Sequence, residues 1–239
     1  WGLEHGERIC HTAHRTTTSH AAYERLYGLL LDAGYTEVTR KKKEMPAHSF
    51  VASKVYGLES IELTDGGTIH FRTRTNNGGL GEGFDLLVVD EAQEYTEKQE
   101  SSLKYTVSDS QNPQIIFTGT PPTAISSGNV FPKLRNVILS GTAEDAGWSE
   151  WSIEKQTDDI RNVELWYETN PSLGTILSER KIRAEIGDDI IDFNIQRLGL
   201  WISYNQKSAI SAEEWREVQV EKMPQLEPKR FIGIKYGHD

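Results

Sequence analysis

Leu86-Leu87-Val88-Val89-Asp90-Glu91-Ala92-Gln93 decides how the rest of this chain is read. Four consecutive apolar residues mark a strand covered on both faces, as in parallel sheets flanked by helices. The run ends in two adjacent carboxylates and the chain then turns polar, which puts the acids at the carboxyl end of the sheet. Ligands of open α/β folds bind there. An Asp at that place holds Mg²⁺ beside nucleotide phosphates, and the following Glu orients or deprotonates a water. The pattern is that of a Walker B segment.

Upstream lies a hairpin. Ser60–Thr64 alternates, Asp65-Gly66-Gly67 is a turn signal, and Thr68–Thr73 alternates again. Ile69 and Phe71 share its inner face, so His70, Arg72 and Arg74 project together on the other. Asn76–Gly83 is a glycine-dense loop that delivers the chain into the acidic strand. Downstream, Glu94–Val107 reads as a surface helix. Gln114–Thr118 reads as a second buried strand, broken by Gly119-Thr120-Pro121-Pro122. Two buried strands, each opening into a polar loop, place Asp90 and Thr118 on one edge of a parallel sheet.

At the start, Glu7–His14 reads as a strand around Ile9 and Cys10. A helix follows, capped by Ser19, with Ala22, Leu26, Leu29, Leu30 and Ala33 on one face and Gly34 at its end. After Gly128 the texture becomes helical. Trp148–Ile153 reads as an aromatic strand, and a short helix around Leu165 and Trp166 leads to a turn at Asn170–Gly174. Ser178 caps a helix with Ile182 and Ile186. Asp188–Trp201 is another helix, with Ile191, Ile195 and Leu198 inward. Ser211 and Glu214 have capping-box spacing before Trp215, Met223–Lys229 is a connector, and Phe231–Ile234 begins a strand.

Bulk properties narrow the function. The 239 residues suit one large domain or two small ones, and no run is apolar and long enough for a membrane span. A formal charge of −10 argues against a surface that coats nucleic acid, while leaving room for local contacts such as Arg40–Lys43. The single cysteine, Cys10, excludes an internal disulfide and reads as a small apolar strand residue. His5, His11, His14 and His20 match no metal-site spacing. The chain begins at Trp1 without a methionine, as expected of a piece of a longer protein.

The chemistry concentrates on few residues. Asp90 is the Mg²⁺ ligand and Glu91 the base of the candidate site. Thr118, with Gly119 and Thr120, is placed to sense a γ-phosphate and pass its state onward. Arg72 and Arg74 are candidates to steady the charge of a transferring phosphoryl group, from the same or a neighbouring subunit. The Asn76–Gly83 loop is not a phosphate cradle: a P-loop ends in Gly-Lys-Ser/Thr and opens a helix, whereas this loop opens a strand, and the sequence has no Gly-Lys pair. Together these residues read as an ATPase core without Walker A.

In this order the elements resemble the large terminase subunit of tailed bacteriophages. The resemblance spans nearly the whole chain. It rests on Leu86–Gln93, Thr118–Pro121, the Arg72–Arg74 strand with its glycine-rich loop, Asn170–Gly174, and Phe193–Trp201 with Arg197, Leu198 and Trp201. It implies an α/β fold: a RecA/P-loop-like, mostly parallel sheet with flanking helices, followed by a smaller, mainly helical linker subdomain. Residues 1–140 would be the ATPase core without its P-loop unit, 141–228 the rest of the ATPase domain and linker, and 229–239 the start of a nuclease domain.

The implied activity is an ATP- and Mg²⁺-dependent motor that drives double-stranded viral DNA through a portal protein into the procapsid. It would work in the host cytoplasm, as a homo-oligomeric ring with a small terminase subunit. In that family Asp90 would hold Mg²⁺, Glu91 would activate water, Thr118 would belong to the coupling motif, and an arginine of the Arg72 region would act in trans. The family's nuclease strand places a metal-binding Asp where this chain has Lys235, so no nuclease residue carries over. As it stands, the fragment is expected to be inactive. Two other readings remain: a DEAD-like helicase or translocase, and a non-catalytic module kept for protein contacts.

Overall fold

A computed structural model describes residues 2–39, 46–64, 66–75, 81–202, 216 and 219. The chain divides into two compact units, 1–202 and 203–239, and the second lies almost wholly outside the described residues. The expectations for Arg40–Lys43, Asn76–Leu80, the Ser211 cap, the Met223–Lys229 connector and Phe231–Ile234 therefore fall outside them as well.

The first unit is built on one seven-stranded sheet. Its strands are β1 (Arg8–Ala13), β2 (Thr36–Glu37), β3 (Ser49–Ser53), β4 (Ser60–Leu63), β5 (Thr68–Thr73), β6 (Leu86–Val89) and β7 (Gln114–Phe117), in the spatial order β2-β3-β4-β5-β1-β6-β7. β5, β1, β6 and β7 run parallel; only β4 is antiparallel to its neighbours, β3 and β5. The α-helices are α1 (Thr16–Asp32), α2 (Glu97–Leu103), α3 (Val130–Leu139), α4 (Val163–Thr169), α5 (Glu179–Glu185) and α6 (Ile190–Gln196). None of them is long and apolar enough to cross a membrane.

Strand alternation divides the core in two. Ile9 of β1 joins Tyr23 and Leu30 of α1 with Phe50, Ile61 and Phe71 on one face. Cys10, its neighbour, joins Leu87, Val89, Tyr95, Leu103, Val130 and Phe131 on the other. Burial pushes the Cys10 thiol up to about 12, so it stays a protonated, apolar filler. A third core, of Ile160, Trp166, Leu173, Ile182, Phe193 and Leu198, holds α4–α6 together.

Several expected elements differ from those observed. α1 begins about a turn earlier than a Ser19 cap would place it: Arg15 occupies the N-cap, and Ser19 is a fully buried helical residue. The end is as expected: Gly34 (φ 86°) lies just past it, with Gly34 N–H bonded to Leu31 O and Tyr35 N–H to Leu30 O. Glu94–Val107 is not one helix, because Thr96 and Gln99 form a capping box that starts α2 inside it. Trp148–Ile153 forms no strand; Trp148 instead packs against Phe131 and Trp201. The Asp188–Trp201 helix shrinks to α6, capped by Asp189, with Ile191 turned outward and Phe193 inward. β7, expected to be buried, is an edge strand whose Ile115 and Ile116 are 37% and 45% exposed.

Candidate functional site

The parallel strands bring their carboxyl ends to one edge of the sheet, and β6 opens there directly into Asp90. The carboxylate is fixed on several sides. Its Oδ1 accepts hydrogen bonds from the Glu91 amide (3.0 Å) and the Thr118 hydroxyl (2.9 Å), while His11 Nε2 stands 3.6 Å from Oδ2. The His11 ring is the largest influence on its acidity. Partial burial opposes it, and the Thr118 hydroxyl and Glu91 amide add to it; Asp90 is held down to about 2 and is charged at any physiological pH.

Glu91 takes the left-handed backbone conformation (φ 51°, ψ 52°). For a residue with a Cβ this costs on the order of 1 kcal/mol and persists only where surroundings enforce it. Its Oε2 is buried and meets no partner among the described residues. A buried carboxylate oxygen on a strained turn next to a fixed Asp is the type of departure from ordinary packing that marks working sites.

The Thr118 loop is locked to this turn. Ala92 N–H donates to Thr118 O (2.9 Å), and Thr120 N–H donates to Gln93 Oε1 (3.3 Å). Gly119 passes so close that a Cβ there would stand 2.6 Å from Gln93 Oε1 and 3.0 Å from Ala92 N. Glycine is thus required by proximity rather than by backbone angle. Beyond Thr118, a cavity of about 820 Å³ opens between β7 and the Trp148 region, lined in part by Phe117, Pro121, Phe131 and Leu134. Asp90 and Glu91 do not line it.

Of the expected site residues, Asp90, Glu91, Thr118, Gly119 and Thr120 come together. The two arginines share a region but face inward. Arg72 donates to the carbonyls of Glu59 (3.0 Å) and Phe71 (2.9 Å) and contacts His70 Nδ1 (3.1 Å). Arg74 is 5% exposed and donates to the carbonyls of Thr12, Asp90 and Glu91. In this conformation both guanidinium groups bond to backbone carbonyls of their own chain. Sequence reasoning does not single out His11 or Gln93 as site residues. The register of β1 against β6, which pairs His11 with Val88, is what carries His11 to Asp90, and no local pattern announces it.

A resident metal cage is not what these residues offer: among the described residues no three His, Cys, Asp or Glu side chains are grouped to hold an ion. They do fit Mg²⁺ of the kind held by one carboxylate, waters and substrate phosphates. Asp90, held down to about 2, is charged at physiological pH and a third exposed (33%).

No protein-family model matches the chain, and no curated protein matches it. Solved structures do. The crystal structure of the HK97 bacteriophage large terminase superposes with a TM-score of 0.60 at 14% identity, over 82% of this chain and 40% of that one. The large terminase of a thermophilic bacteriophage, solved in complex with ADP, gives 0.52 at 12% identity, over 83% and 41%. The chain spans about two fifths of the length of either structure. Its sheet and flanking helices carry the fold found in bacteriophage large terminases.

Proposed function

We propose that this chain is the part of a nucleotide-hydrolysing motor that holds Mg²⁺, orients water and relays the state of the nucleotide, in a terminase that packages viral DNA. One observation carries the reading. The carboxylate at the end of β6 and the hydroxyl at the end of β7 are joined directly, 2.9 Å apart, beside a strained glutamate with an unpartnered buried oxygen. The terminase fold supports it, as does the ADP complex of the thermophilic phage protein.

In this reading Asp90 would hold the Mg²⁺ of an Mg–ATP complex, whose contribution would be to neutralise phosphate charge. Asp90 needs no proton change to do so, because it is already ionised. Glu91 takes or orients the proton of the attacking water at Oε2, the oxygen that no described group occupies. Thr118 reads the site: its hydroxyl bonds to Asp90, and its carbonyl bonds to Ala92 N–H, so a shift of the metal ligand moves the loop through Pro121. The sequence contains no Gly-Lys pair, so no residue of this chain is assigned the role of a Walker A lysine.

The wider roles follow the same reading: double-stranded viral DNA as cargo, a portal protein and small subunit as partners, a ring of like subunits, and action at the procapsid. A DEAD-like translocase would use the same acidic pair; the likeness to terminases across more than 80% of the chain favours the packaging motor. In the intact protein, Glu91→Gln should lower ATP turnover by about 10²–10⁴-fold, the range for a lost acid–base group, with nucleotide affinity nearly unchanged. Steady-state turnover and fluorescent-nucleotide titration measure the two. Unchanged turnover would remove Glu91 from its role, whereas no turnover in the unaltered intact protein would favour the non-catalytic module.

A further inference from the structure

Arg74 stands one residue beyond β5 and passes beneath the turn that follows β6. Nη1 donates to Thr12 O (2.9 Å) and to Asp90 O (2.5 Å), Nη2 donates to Glu91 O (3.0 Å), and the Arg74 amide donates to Ala13 O (3.0 Å). One side chain thus ties the carboxyl ends of β5, β1 and β6. The Tyr95 ring lies 5.6 Å from its Cζ, and no described group pairs with the buried Nε.

The peptide planes around Glu91 show what this bracket does. The plane joining Asp90 and Glu91 is held at its N–H by Asp90 Oδ1 and at its carbonyl by Arg74. The plane joining Glu91 and Ala92 is held at its N–H by Thr118 O and at its carbonyl by Arg74 and by the Glu94 amide (3.0 Å). Peptide planes are rigid, so fixing both leaves Glu91 no freedom in φ or ψ. The site's own groups fix the two N–H ends; Arg74 reaches both carbonyl ends, alone at Asp90 O and together with the Glu94 amide at Glu91 O.

We propose that Arg74 is a positioning residue, which holds Glu91 in its left-handed conformation by gripping the carbonyls on either side and so sets where its carboxylate stands. This rests on the reading of Glu91 as the group that orients water. A planar fork is needed to reach three carbonyls at once, and a lysine ammonium, though equally charged, does not present one.

The test uses Arg74→Lys in the intact protein. Misplacement of a reacting group by about 1 Å costs roughly 10²-fold. The kcat for ATP should therefore fall by about that factor, with KM within about threefold. A kcat within twofold of the unaltered protein overturns the proposal. So does turnover restored by mixing Arg74→Lys with Glu91→Gln subunits, because that would mean an arginine acting in trans. A stability cycle reads the bracket without any catalysis. Arg74→Lys is placed in Glu91→Gln and in Glu91→Gly backgrounds, both of which lack the carboxylate, and urea unfolding is measured. Glycine adopts the left-handed conformation freely, so the lysine substitution should destabilise the glycine background less. Equal destabilisation, or failure to fold in both, overturns the proposal. If Glu91→Gln leaves turnover intact, the hydrolase reading fails, and the cycle still decides the role of Arg74.

Discussion

The Glu150 carboxylate accepts four hydrogen bonds: from Arg135 Nε (2.6 Å) and Nη2 (2.8 Å), Trp148 Nε1 (2.8 Å) and Ser152 Oγ (2.6 Å). Burial alone would raise its pKa, but these donors outweigh burial and hold it down to about 2. Because the folded value lies below the ordinary one of 4.5, the stability it contributes is complete above that ordinary value and is lost as pH falls through 2. Glu150→Gln should therefore destabilise the protein at pH 7, by about 3 kcal/mol on linkage arithmetic. The gap between the two proteins should narrow steadily from pH 5 to pH 2 in urea melts. A gap independent of pH would mean that the carboxylate charge is not what the Arg135–Trp148 cluster uses.

Helix α4 is only seven residues long and owes its stability to packing rather than to propensity. Trp166 is fully buried at the centre of the third core and donates its indole N–H to Ile160 O (3.0 Å). Trp166→Ala removes both, and about 3–5 kcal/mol should be lost in chemical denaturation. A cost below about 1 kcal/mol would show that α4–α6 are held by something else. Sequence pattern serves the elements unevenly. The β4–β5 hairpin is readable because Asp65-Gly66-Gly67 and two alternating runs leave few alternatives. Trp148–Ile153 is rich in aromatics and still forms no strand, because aromatic content records a tendency to be buried and not whether a hydrogen-bonding neighbour exists. β7 misleads in the opposite sense: Gln114–Phe117 has an interior strand's composition and stands at an edge. Position within a sheet is not encoded in the strand that occupies it.

For the whole molecule, the fold class and the acidic end of β6 are legible, since both follow from short apolar runs ending in carboxylates. What stays hidden is everything set by strand order. That β1 becomes an interior strand, between β5 and β6, brings His11 to Asp90 and lets Arg74 span three strand ends. The same order governs how the chain reaches this state. β1 emerges first and waits for partners far along the sequence: Arg8 meets Asp85 across 77 residues, and Arg74 meets Thr12 across 62. Pairing at such separations must overcome loop closure before any contact rewards it, which makes parallel sheets slow to form. Refolding should therefore proceed in milliseconds to seconds, with α1 gaining helicity before the sheet closes. Stopped-flow circular dichroism against tryptophan fluorescence would show the lag, and simultaneous microsecond phases would refute it. The strained turn at Glu91 needs both Thr118 and Arg74, and so forms only once β5, β6 and β7 have come together. A chain caught before that point would have helices and apolar clusters, but not the contact between Asp90 and Thr118.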